Sequence, residues 1–456
     1  MNARQVALEC LLEQSVSDAS IASIVDNALQ KYTLKNREHR FVNALVYGVV
    51  RWQHQLDWVL GQFVNPRFQL DTKRRIILRL GAFQLLHLNG IPDRAAINET
   101  VDLAIEGKKT KGFINAVLRS IQRNGGELSY PQLDTHPIDH ISYSYSYPKW
   151  LVQRWIKDRG IKWTLDFCIA SNQIAPISIR TNTLLTDPLK LQELLSKNGL
   201  STHPSKYVPE GMVIETSSKK SEIDISHTSE EKNIKSAINH EHLYVQDESG
   251  MLISHLMMSD SPKYVVDLCA APGGKTTHMA CLMQDSGKVL AIDISEKKLL
   301  RIQENCTRLG IKNVETRVLD AVKSDLSFIT EVDAVLIDAP CSGFGTLRRH
   351  PDIRWNKTFK QLQSLTQLQY NLLRNAAQHI KPNGILVYST CTIEKAENES
   401  VVQRFLKNYP MFKIERPSME SINLPTDIIT PEGYLQTLPQ VHGIDGAFAV
   451  KLRKSA

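Results

Sequence analysis

Asp267-Leu-Cys-Ala-Ala-Pro-Gly-Gly-Lys-Thr276 is the stretch that decides the fold of this chain. An apolar run, 264–268, leads into it, two glycines follow in the turn, and 276–283 has the spacing of a helix. A strand, a glycine-rich loop and a helix N-terminus together form a loop whose backbone N–H groups can bind a nucleotide-like ligand. We therefore expect an α/β domain with a ligand at this loop.

The loop lacks the two common phosphate-binding motifs. A P-loop requires a glycine five residues before Gly274, where Cys269 stands, and no G-x-G-x-x-G is present. Asp293 lies twenty residues after Gly273, at the end of a second apolar run, and a carboxylate there can accept hydrogen bonds from ribose hydroxyls. The pattern indicates a nucleoside without a pyrophosphate, and S-adenosylmethionine fits that description.

Length and composition set broad limits. A chain of 456 residues suggests about three domains, and no apolar run reaches the ~20 residues that span a bilayer. The N-terminus enters helix-like sequence without the apolar segment of a signal peptide, so we expect a cytoplasmic protein. The seven cysteines are scattered and never form a C-x-x-C pair, which indicates neither a disulfide framework nor a zinc site. A net charge of +7 is a weak indication of a polyanionic partner.

Three regions differ in their apolar patterns. Residues 1–140 have apolar positions at helical spacing throughout, which predicts an all-α domain. Residues 141–240 predict a small α+β module that ends in a polar loop, 217–240. From 241 to 456, apolar runs of strand length alternate with helical stretches, which predicts a doubly wound parallel sheet. The amphipathic stretch 359–380 is expected to be a crossover helix between two strands.

Two cysteines and a carboxylate follow the later strands. Asp338 and Cys341 come directly after the apolar run 334–337, and Cys391 comes after 385–388. Ligands of an open α/β sheet lie beyond the carboxyl ends of its strands, so we expect these three side chains near the glycine-rich loop. A lone cysteine is more often a buried structural thiol. Two cysteines at matching strand ends favour a catalytic role instead.

Three motifs in combination resemble the RsmB/Nop2/Sun family of RNA cytosine-5 methyltransferases: residues 267–276, Asp338-Ala-Pro-Cys-Ser-Gly343 and Ser389-Thr-Cys-Thr392. The helical region, with Phe113-Ile-Asn-Ala-Val-Leu-Arg119, resembles the NusB-like RNA-binding domain, as in the bacterial members of that family that act on 16S rRNA. The resemblance covers nearly the whole chain. It implies a class I S-adenosylmethionine-dependent methyltransferase (Rossmann-like) domain over 241–456, preceded by the NusB-like domain and the α+β module.

The resemblance also implies a reaction and its residues. The reaction is methyl transfer from S-adenosylmethionine to C5 of a cytosine in 16S rRNA, at cytosine 967. Cys391 would add to C6, because C5 alone is a poor nucleophile. Cys341 would assist release as an acid/base partner, and Asp338 would bind the N3/N4 edge of the cytosine. The implied cofactor-binding residues are Cys269, Ala270, Ala271, Pro272, Gly273, Gly274, Lys275, Asp293 at the ribose, Asp320 near the adenine, and Asp338.

RNA-binding residues are expected in two places. Arg180 and Asn182 match the family's Arg-x-Asn motif, and Arg348, Arg349 and Arg354 follow the cysteine loop, where they would meet phosphates. The expected partner is 16S rRNA, naked or in early assembly, bound by a monomer without a metal or a membrane.

Two further segments bear on the resemblance. Residues 246–250, Gln-Asp-Glu-Ser-Gly, match a family motif that closes over the cofactor pocket. The family usually ends in Asp-Gly-Phe-Phe, whereas Ala447 replaces the first aromatic residue here. This departure affects a packing or base contact and not the reaction.

Three alternatives stay open from the sequence. In a DNA-type arrangement Cys341 would be the nucleophile, although such an enzyme does not need the additional Cys391. The chain could instead be an RNA-binding assembly factor whose methylase half is a scaffold, although the intact Lys275, Asp293 and Asp338 argue against this. The third alternative is a cytosine-5 methyltransferase that acts on another RNA.

Overall fold

The computed structural model of the protein describes residues 1–65, 69–105, 107–124, 128–215, 241–417 and 426–456. The predicted polar loop, 217–240, lies outside the described residues. By its internal contacts the chain divides into two units. The first unit comprises Met1–Ile174 together with Leu347–Asn356, and the second comprises the other described residues. Within the described ranges, no helix combines the length and the apolar character needed to cross a membrane.

The first unit is helical. Its helices are α1 (Ala3–Gln14), α2 (Ile21–Lys31), α3 (Asn36–Phe63), α4 (Thr72–His87), α5 (Asp93–Val101), α6 (Lys108–Asn124), α7 (Pro137–Ser144), α8 (Lys149–Arg159) and α9 (Ile161–Ala170), with one further turn at Ile353–Asn356. The predicted apolar stripes of α1, α3, α4 and α6 form one core. The helices α3 and α4 approach closely because Gly48 has no side chain: a Cβ there would lie 1.9 Å from the ring of Phe83. The prediction of a helical bundle is confirmed.

A four-stranded antiparallel sheet begins the second unit. Its strands are β1 (Ile177–Thr181), β2 (Thr202–Pro204), β3 (Gly211–Ile214) and β4 (Leu243–Val245), in the order β2-β3-β1-β4. The helix α10 (Pro188–Lys197) begins at Asp187, whose carboxylate accepts a hydrogen bond from the backbone of Lys190. Leu191 and Leu195 of this helix pack on the sheet. A helix packed on a sheet confirms the predicted small α+β module.

The large sheet has β5 (Tyr264–Asp267), β6 (Lys288–Asp293), β7 (Val314–Val318), β8 (Ala334–Asp338), β9 (Ile385–Thr390), β10 (Phe412–Ile414), β11 (Leu435–Thr437) and β12 (Ala447–Lys454). Its order is β7-β6-β5-β8-β9-β12-β10, and β11 pairs with β12. In this sheet the strands β5, β6, β7, β8 and β9 are parallel to one another, whereas β12 runs antiparallel to β9. The sequence predicted the parallel strands within two residues at each end but not the antiparallel edge.

Helices cover both faces of this sheet. They are α11 (Glu248–Met258), α12 (Gly274–Leu282), α13 (Glu296–Leu309), α14 (Phe359–His379) and α15 (Glu399–Asn408). One core contains apolar side chains of α11, α12 and α13, and a second contains those of α14 and α15. The predicted doubly wound architecture is therefore confirmed, and α14 connects the neighbouring parallel strands β8 and β9 as expected.

Candidate active site

The strand order places the glycine-rich loop where the winding of the sheet reverses. The loop follows β5, which pairs with β6 on one side and with β8 on the other. Chains that leave neighbouring strands in opposite directions open a crevice at the carboxyl edge, and ligands of such folds bind there. The candidate site is therefore the edge formed by the ends of β5, β6, β8 and β9.

The glycine-rich loop depends on one conformation that L-residues rarely adopt. Gly273 has φ 101° at the start of α12, and a Cβ there would lie 2.9 Å from Cγ1 of Ile302. The backbone N–H of Ala270 donates to the carbonyl of Ile292 at 2.9 Å, which fixes the loop against the end of β6. The loop is thus a narrow backbone cradle that a side chain would fill.

Asp267 lies buried beneath this loop. Thr276 Oγ1 donates to its Oδ2 at 2.7 Å, while its Oδ1 is buried without a hydrogen-bond partner among the described residues. Burial raises the pKa of Asp267 to about 7. No local sequence pattern indicates this burial, because the depth of a strand-end carboxylate depends on the whole sheet.

The ends of β6 and β7 fit a nucleoside. Asp293 Oδ2 accepts from the N–H of Ala271 at 3.2 Å, so this carboxylate lies directly beside the loop. Asp320 follows β7 and is partly exposed, and its Oδ1 accepts from the N–H of Val322. Ile294, next to Asp293, is 68% exposed. Two accessible carboxylates and one accessible apolar side chain match the ribose hydroxyls and the flat base of an adenosine.

Asp338 and Lys275 form an ion pair at the centre of the edge. Lys275 Nζ lies 2.7 Å from Asp338 Oδ2, and Ser389 Oγ donates to Oδ1 at 2.8 Å. Burial lowers the pKa of Lys275, but the charge and hydrogen bond of Asp338 outweigh it, so the net direction is upward. The lysine is therefore a cation that is paired with the Asp338 carboxylate.

The two predicted thiols lie next to each other. Because β8 and β9 are parallel neighbours with Asp338 opposite Ser389, the residues that follow them meet at one edge. The Sγ atoms of Cys341 and Cys391 are 3.2 Å apart. Cys391 is exposed, whereas Cys341 is half-buried. The hydrogen bond with Cys391, then burial, raises the pKa of Cys341 well above its usual value, so Cys341 keeps its proton.

Arg180 and Asn182 are not available to RNA, contrary to the prediction. Each is 1% exposed. Arg180 donates to Gln246 Oε1 at 2.6 Å, to the carbonyl of Gly274 at 2.8 Å and to Thr277 Oγ1 at 3.1 Å. Asn182 donates to the carbonyl of Leu309 at 2.8 Å. Both side chains therefore join β1 to the helices beside the cofactor loop, and the predicted RNA contacts are wrong.

Two of the three arginines after the cysteine loop are also buried, in the first unit. Arg348 is 6% exposed and donates to the carbonyl of Ile174 at 3.1 Å. Arg354 is 0% exposed, donates to the carbonyl of Ser146 at 3.0 Å and lies over the ring of Tyr147. Buried guanidinium groups held by carbonyl oxygens cannot bind phosphate, so these two predictions are wrong. Arg349 is partly exposed and stays a prediction.

The C-terminal departure from the family pattern lies inside the sheet. Ala447 begins β12, is buried and donates its N–H to Thr437 Oγ1 at 2.9 Å. The following Phe448 packs against Tyr388 and Tyr434. An aromatic side chain at 447 would therefore meet the sheet core. Of the two contacts that Ala447 was expected to affect, a packing contact and a base contact, the structure supports the packing contact.

One group of metal-ligand side chains was missed by the sequence analysis. Glu210, His255 and His278 come from three different elements, and Glu210 Oε1 lies 2.8 Å from Nε2 of His255 and 2.6 Å from Nε2 of His278. These are hydrogen-bond distances. Burial is the largest influence and lowers the pKa of His278 to about 3, which keeps it neutral. The three side chains form a hydrogen-bonded contact between the small sheet and the two helices.

Comparisons with known proteins agree with this architecture. Three family models match: the NusB family over 1–123, a methyltransferase RsmF/B-like, ferredoxin-like domain over 147–219, and 16S rRNA methyltransferase RsmB/F over 255–453. The chain is therefore a NusB-like domain, a ferredoxin-like module and a Rossmann-like methyltransferase domain, as the predicted fold class stated.

Individual relatives match over the full length. A probable ribosomal RNA small subunit methyltransferase B of Bacillus subtilis (strain 168) is 33% identical, with 99% of this chain and 98% of the relative covered. A protein of the same description from Synechocystis sp. is 34% identical, with both chains covered completely. The crystal structure of PH0851 is 28% identical with a TM-score of 0.77, and covers 100% of this chain and 99% of that one.

Proposed function

The chain belongs to the RsmB/F family of 16S rRNA methyltransferases, and from this premise we propose that it transfers a methyl group from S-adenosylmethionine to C5 of a cytosine in 16S rRNA. The proposed intermediate is a covalent bond between Cys391 Sγ and C6 of the base. The target position implied by the family resemblance is cytosine 967. An rRNA substrate also implies a cytoplasmic location.

The thiol pair carries the proposal. Two cysteines 3.2 Å apart, one exposed and one holding the proton, suit a reaction in which one thiolate attacks and the second thiol handles a proton. Their position at the ends of β8 and β9, beside the ion pair of Asp338 and Lys275, puts them at the edge that the fold uses for ligands. A thiol pair is not needed for binding RNA alone.

The residues of the glycine-rich loop would hold the cofactor. We assign the backbone of 269–274 to the methionine and ribose moieties, Asp293 to the ribose hydroxyls, and Asp320 with Ile294 to the adenine. When bound, S-adenosylmethionine supplies an electrophilic methyl group. The orphaned Oδ1 of Asp267 beneath the loop and the positive φ of Gly273 support a built ligand site there.

The base would enter flipped out of any duplex, because C6 is not accessible in a stacked pair. Cys391 Sγ adds to C6, and the electron pair of the C5–C6 bond becomes available at C5 for the methyl group. Asp338 accepts a hydrogen bond from the N4 amino group, and the ion pair with Lys275 holds that carboxylate in place. The charge of Lys275 also lies within electrostatic reach of Cys391.

Release then needs a base for the C5 proton. In the proposed mechanism Cys341 first gives its own proton to solvent, and its thiolate then takes the C5 proton. The electrons of the C5–H bond form the C5–C6 double bond again, and the C6–S bond breaks with its electrons returning to Cys391. Cys341 is within reach because its sulfur lies next to the sulfur that is bonded to C6. The product is 5-methylcytosine and a regenerated Cys391 thiolate.

The test compares three cysteine variants on 16S rRNA fragments. Cys391→Ala is expected to abolish methylation and adduct formation, and Cys341→Ala is expected to accumulate a covalent protein–RNA adduct. Cys306→Ala, which removes a buried thiol on α13, is the matched control and is expected to keep activity. An adduct mapped to Cys341 would reverse the assignment of the nucleophile, and full activity of all three variants would exclude cysteine catalysis.

Bisulfite mapping gives the target independently. Ribosomal RNA from cells with and without the gene is expected to differ at one cytosine of 16S rRNA. A protected cytosine in another RNA would overturn the substrate assignment. A third outcome is that the RNA from cells with and without the gene shows no difference and that the protein does not bind S-adenosylmethionine in calorimetry. This outcome would instead support an assembly factor.

A further inference from the structure

Two consecutive buried residues reach both cysteine loops. Glu397 and Asn398 lie between β9 and α15, and neither is exposed. The proposed mechanism does not use either side chain. Their hydrogen bonds nevertheless go to the residues next to Cys341 and Cys391, which is where the separation of the two thiols is set.

Asn398 holds the loop of Cys391 from both sides. Thr390 Oγ1 donates to Asn398 Oδ1 at 2.6 Å, and Asn398 Nδ2 donates to the carbonyl of Thr392 at 2.9 Å. These two residues flank Cys391 directly. An asparagine at the start of a helix normally caps it by accepting from a backbone N–H. Asn398 stands at that position of α15 but makes no side-chain cap, so its amide serves the cysteine loop instead.

Glu397 holds the loop of Cys341. Its Oε2 accepts from the N–H of Ser342 at 2.8 Å and from Gln369 Nε2 at 2.9 Å. Its Oε1 is buried and has no hydrogen-bond partner among the described residues. A buried carboxyl with one unsatisfied oxygen is unfavourable for stability. A purely structural contact would be served as well by a neutral side chain, so its presence here indicates a function.

A third contact joins the two loops above this pair. Ser342 Oγ and Thr392 Oγ1 are 2.7 Å apart, so the residue after Cys341 is hydrogen-bonded to the residue after Cys391. The loop of Cys341 is thus bonded to the loop of Cys391 and to Glu397, and the loop of Cys391 is also bonded to Asn398. The N–H of Gly345 also donates to the carbonyl of Cys391 at 3.0 Å, so loss of Glu397 or Asn398 would loosen one cysteine loop without separating the two.

We propose that Glu397 and Asn398 are positioning residues that fix the separation of Cys341 and Cys391 for proton transfer and attack. The catalytic consequence rests on the proposed function, whereas the separation of the thiols can be measured without RNA. A displacement of about 1 Å can reduce a catalysed rate by about 100-fold. The two side chains touch no reacting atom and act only through the loops.

The first measurement is oxidation by diamide of the otherwise reduced protein. The two thiols lose two protons and two electrons to the N=N bond and form a disulfide, whose rate depends on how closely the sulfurs are held. Mass spectrometry of non-reduced peptides follows the Cys341–Cys391 bond. Asn398→Ala and Glu397→Ala are expected to slow its formation at least about tenfold, because the misplaced sulfurs meet less often.

Conservative variants and a control separate positioning from general destabilisation. Asn398→Asp keeps the acceptor for Thr390 and loses the donor to Thr392, and we expect an intermediate rate. Glu397→Gln keeps an acceptor for Ser342 and should restore most of the rate lost in Glu397→Ala. Lys451→Met removes a comparably buried polar side chain, bonded to Asp260 and Ser259, and should lower the melting temperature without changing the oxidation rate.

The second measurement is the rate of single-turnover methylation, and the affinity for S-adenosylmethionine is measured on the same variants. Asn398→Ala is expected to lose about 100-fold in rate with unchanged cofactor affinity. Oxidation rates of Asn398→Ala and Glu397→Ala within twofold of Lys451→Met would overturn the positioning role. Slowed oxidation with unchanged methylation would keep the positioning role and overturn the proposed function of the thiol pair.

Discussion

Arg180 offers a direct test between two roles: a structural role, which its burial indicates, and RNA binding, which its sequence motif predicted. Its guanidinium makes three hydrogen bonds, at 2.6, 2.8 and 3.1 Å, to Gln246, Gly274 and Thr277. Hydrogen bonds to a charged group contribute about 1.5–3 kcal/mol each, so the three sum to roughly 4.5–9 kcal/mol. Burial of the cation offsets several kcal/mol of this. Arg180→Met is therefore expected to lose on the order of 3 kcal/mol of local stability.

Hydrogen exchange is the assay that resolves this loss. The strand β1 and the helix α12 are joined by Arg180, so their amides should exchange about 100-fold faster in the variant, which corresponds to roughly 3 kcal/mol of opening free energy. Amides of the first unit serve as the internal control. Affinity for S-adenosylmethionine should also fall, because the carbonyl of Gly274 at the cofactor loop loses its donor.

An RNA-binding role for Arg180 predicts a different result. Each phosphate contact contributes about 0.9 to the slope of log affinity against log salt. Arg180→Met is expected to leave this slope unchanged, whereas Arg349→Ala, at a partly exposed arginine, is the matched variant that should reduce it. Unchanged hydrogen exchange in Arg180→Met together with a slope reduced by about 0.9 would refute our reasoning from burial.

Three further variants test the site. Lys275→Met removes the cation 2.7 Å from Asp338, and single-turnover methylation should fall about 100-fold; a rate within twofold of wild type would contradict this. Burial raises the pKa of Asp267 to about 7, above the ~3.9 of an unfolded chain. The protonated carboxyl therefore contributes to the free energy of unfolding at low pH, and this contribution is lost as the pH rises through 7. Urea unfolding should therefore show the stability of wild type relative to Asp267→Asn declining by on the order of 3 kcal/mol between pH 4 and pH 8, and a flat difference would exclude the raised pKa. In Gly345→Ala a Cβ would lie 1.8 Å from the carbonyl oxygen of Gly446, which should cost about 1–3 kcal/mol in thermal unfolding, whereas Gly112→Ala meets nothing within 4 Å and should be neutral or stabilising.

The sequence predicted the parts of the site that depend on strand order. Apolar runs identify buried parallel strands, and the carboxyl ends of such strands share one edge, so Cys341 and Cys391 were expected to meet before any distance was known. The ion pair of Asp338 with Lys275 was not predicted, although both residues were expected at that edge. Periodicity alone was sufficient for this part of the fold.

The buried arginines could not be predicted in the same way. Arginine is rarely buried, so an Arg-rich segment near a nucleic-acid site is read as surface. The carbonyl oxygens that accept hydrogen bonds from Arg354 belong to Ser146 and Arg51, 208 and 303 positions away in the chain, and no local pattern indicates them. Asn398 was hidden for a related reason: an asparagine before a helical stretch looks like an ordinary N-cap. Tertiary contacts, and not local sequence, decide both cases.

The geometry of the thiol pair also orders the proposed proton transfers. The largest influence that raises the pKa of Cys341 is its hydrogen bond with Cys391, followed by burial and by the charge of Cys391. Once Cys391 is bonded to C6 it carries no charge, so its hydrogen bond and its charge no longer raise the pKa of Cys341, and only burial and the charge of Glu397 still do. In the proposed mechanism Cys341 therefore holds its proton before the attack and passes it to solvent afterwards, and the resulting thiolate is the base that takes the C5 proton. Bond formation by Cys391 would thus allow Cys341 to change from a protonated thiol to a base.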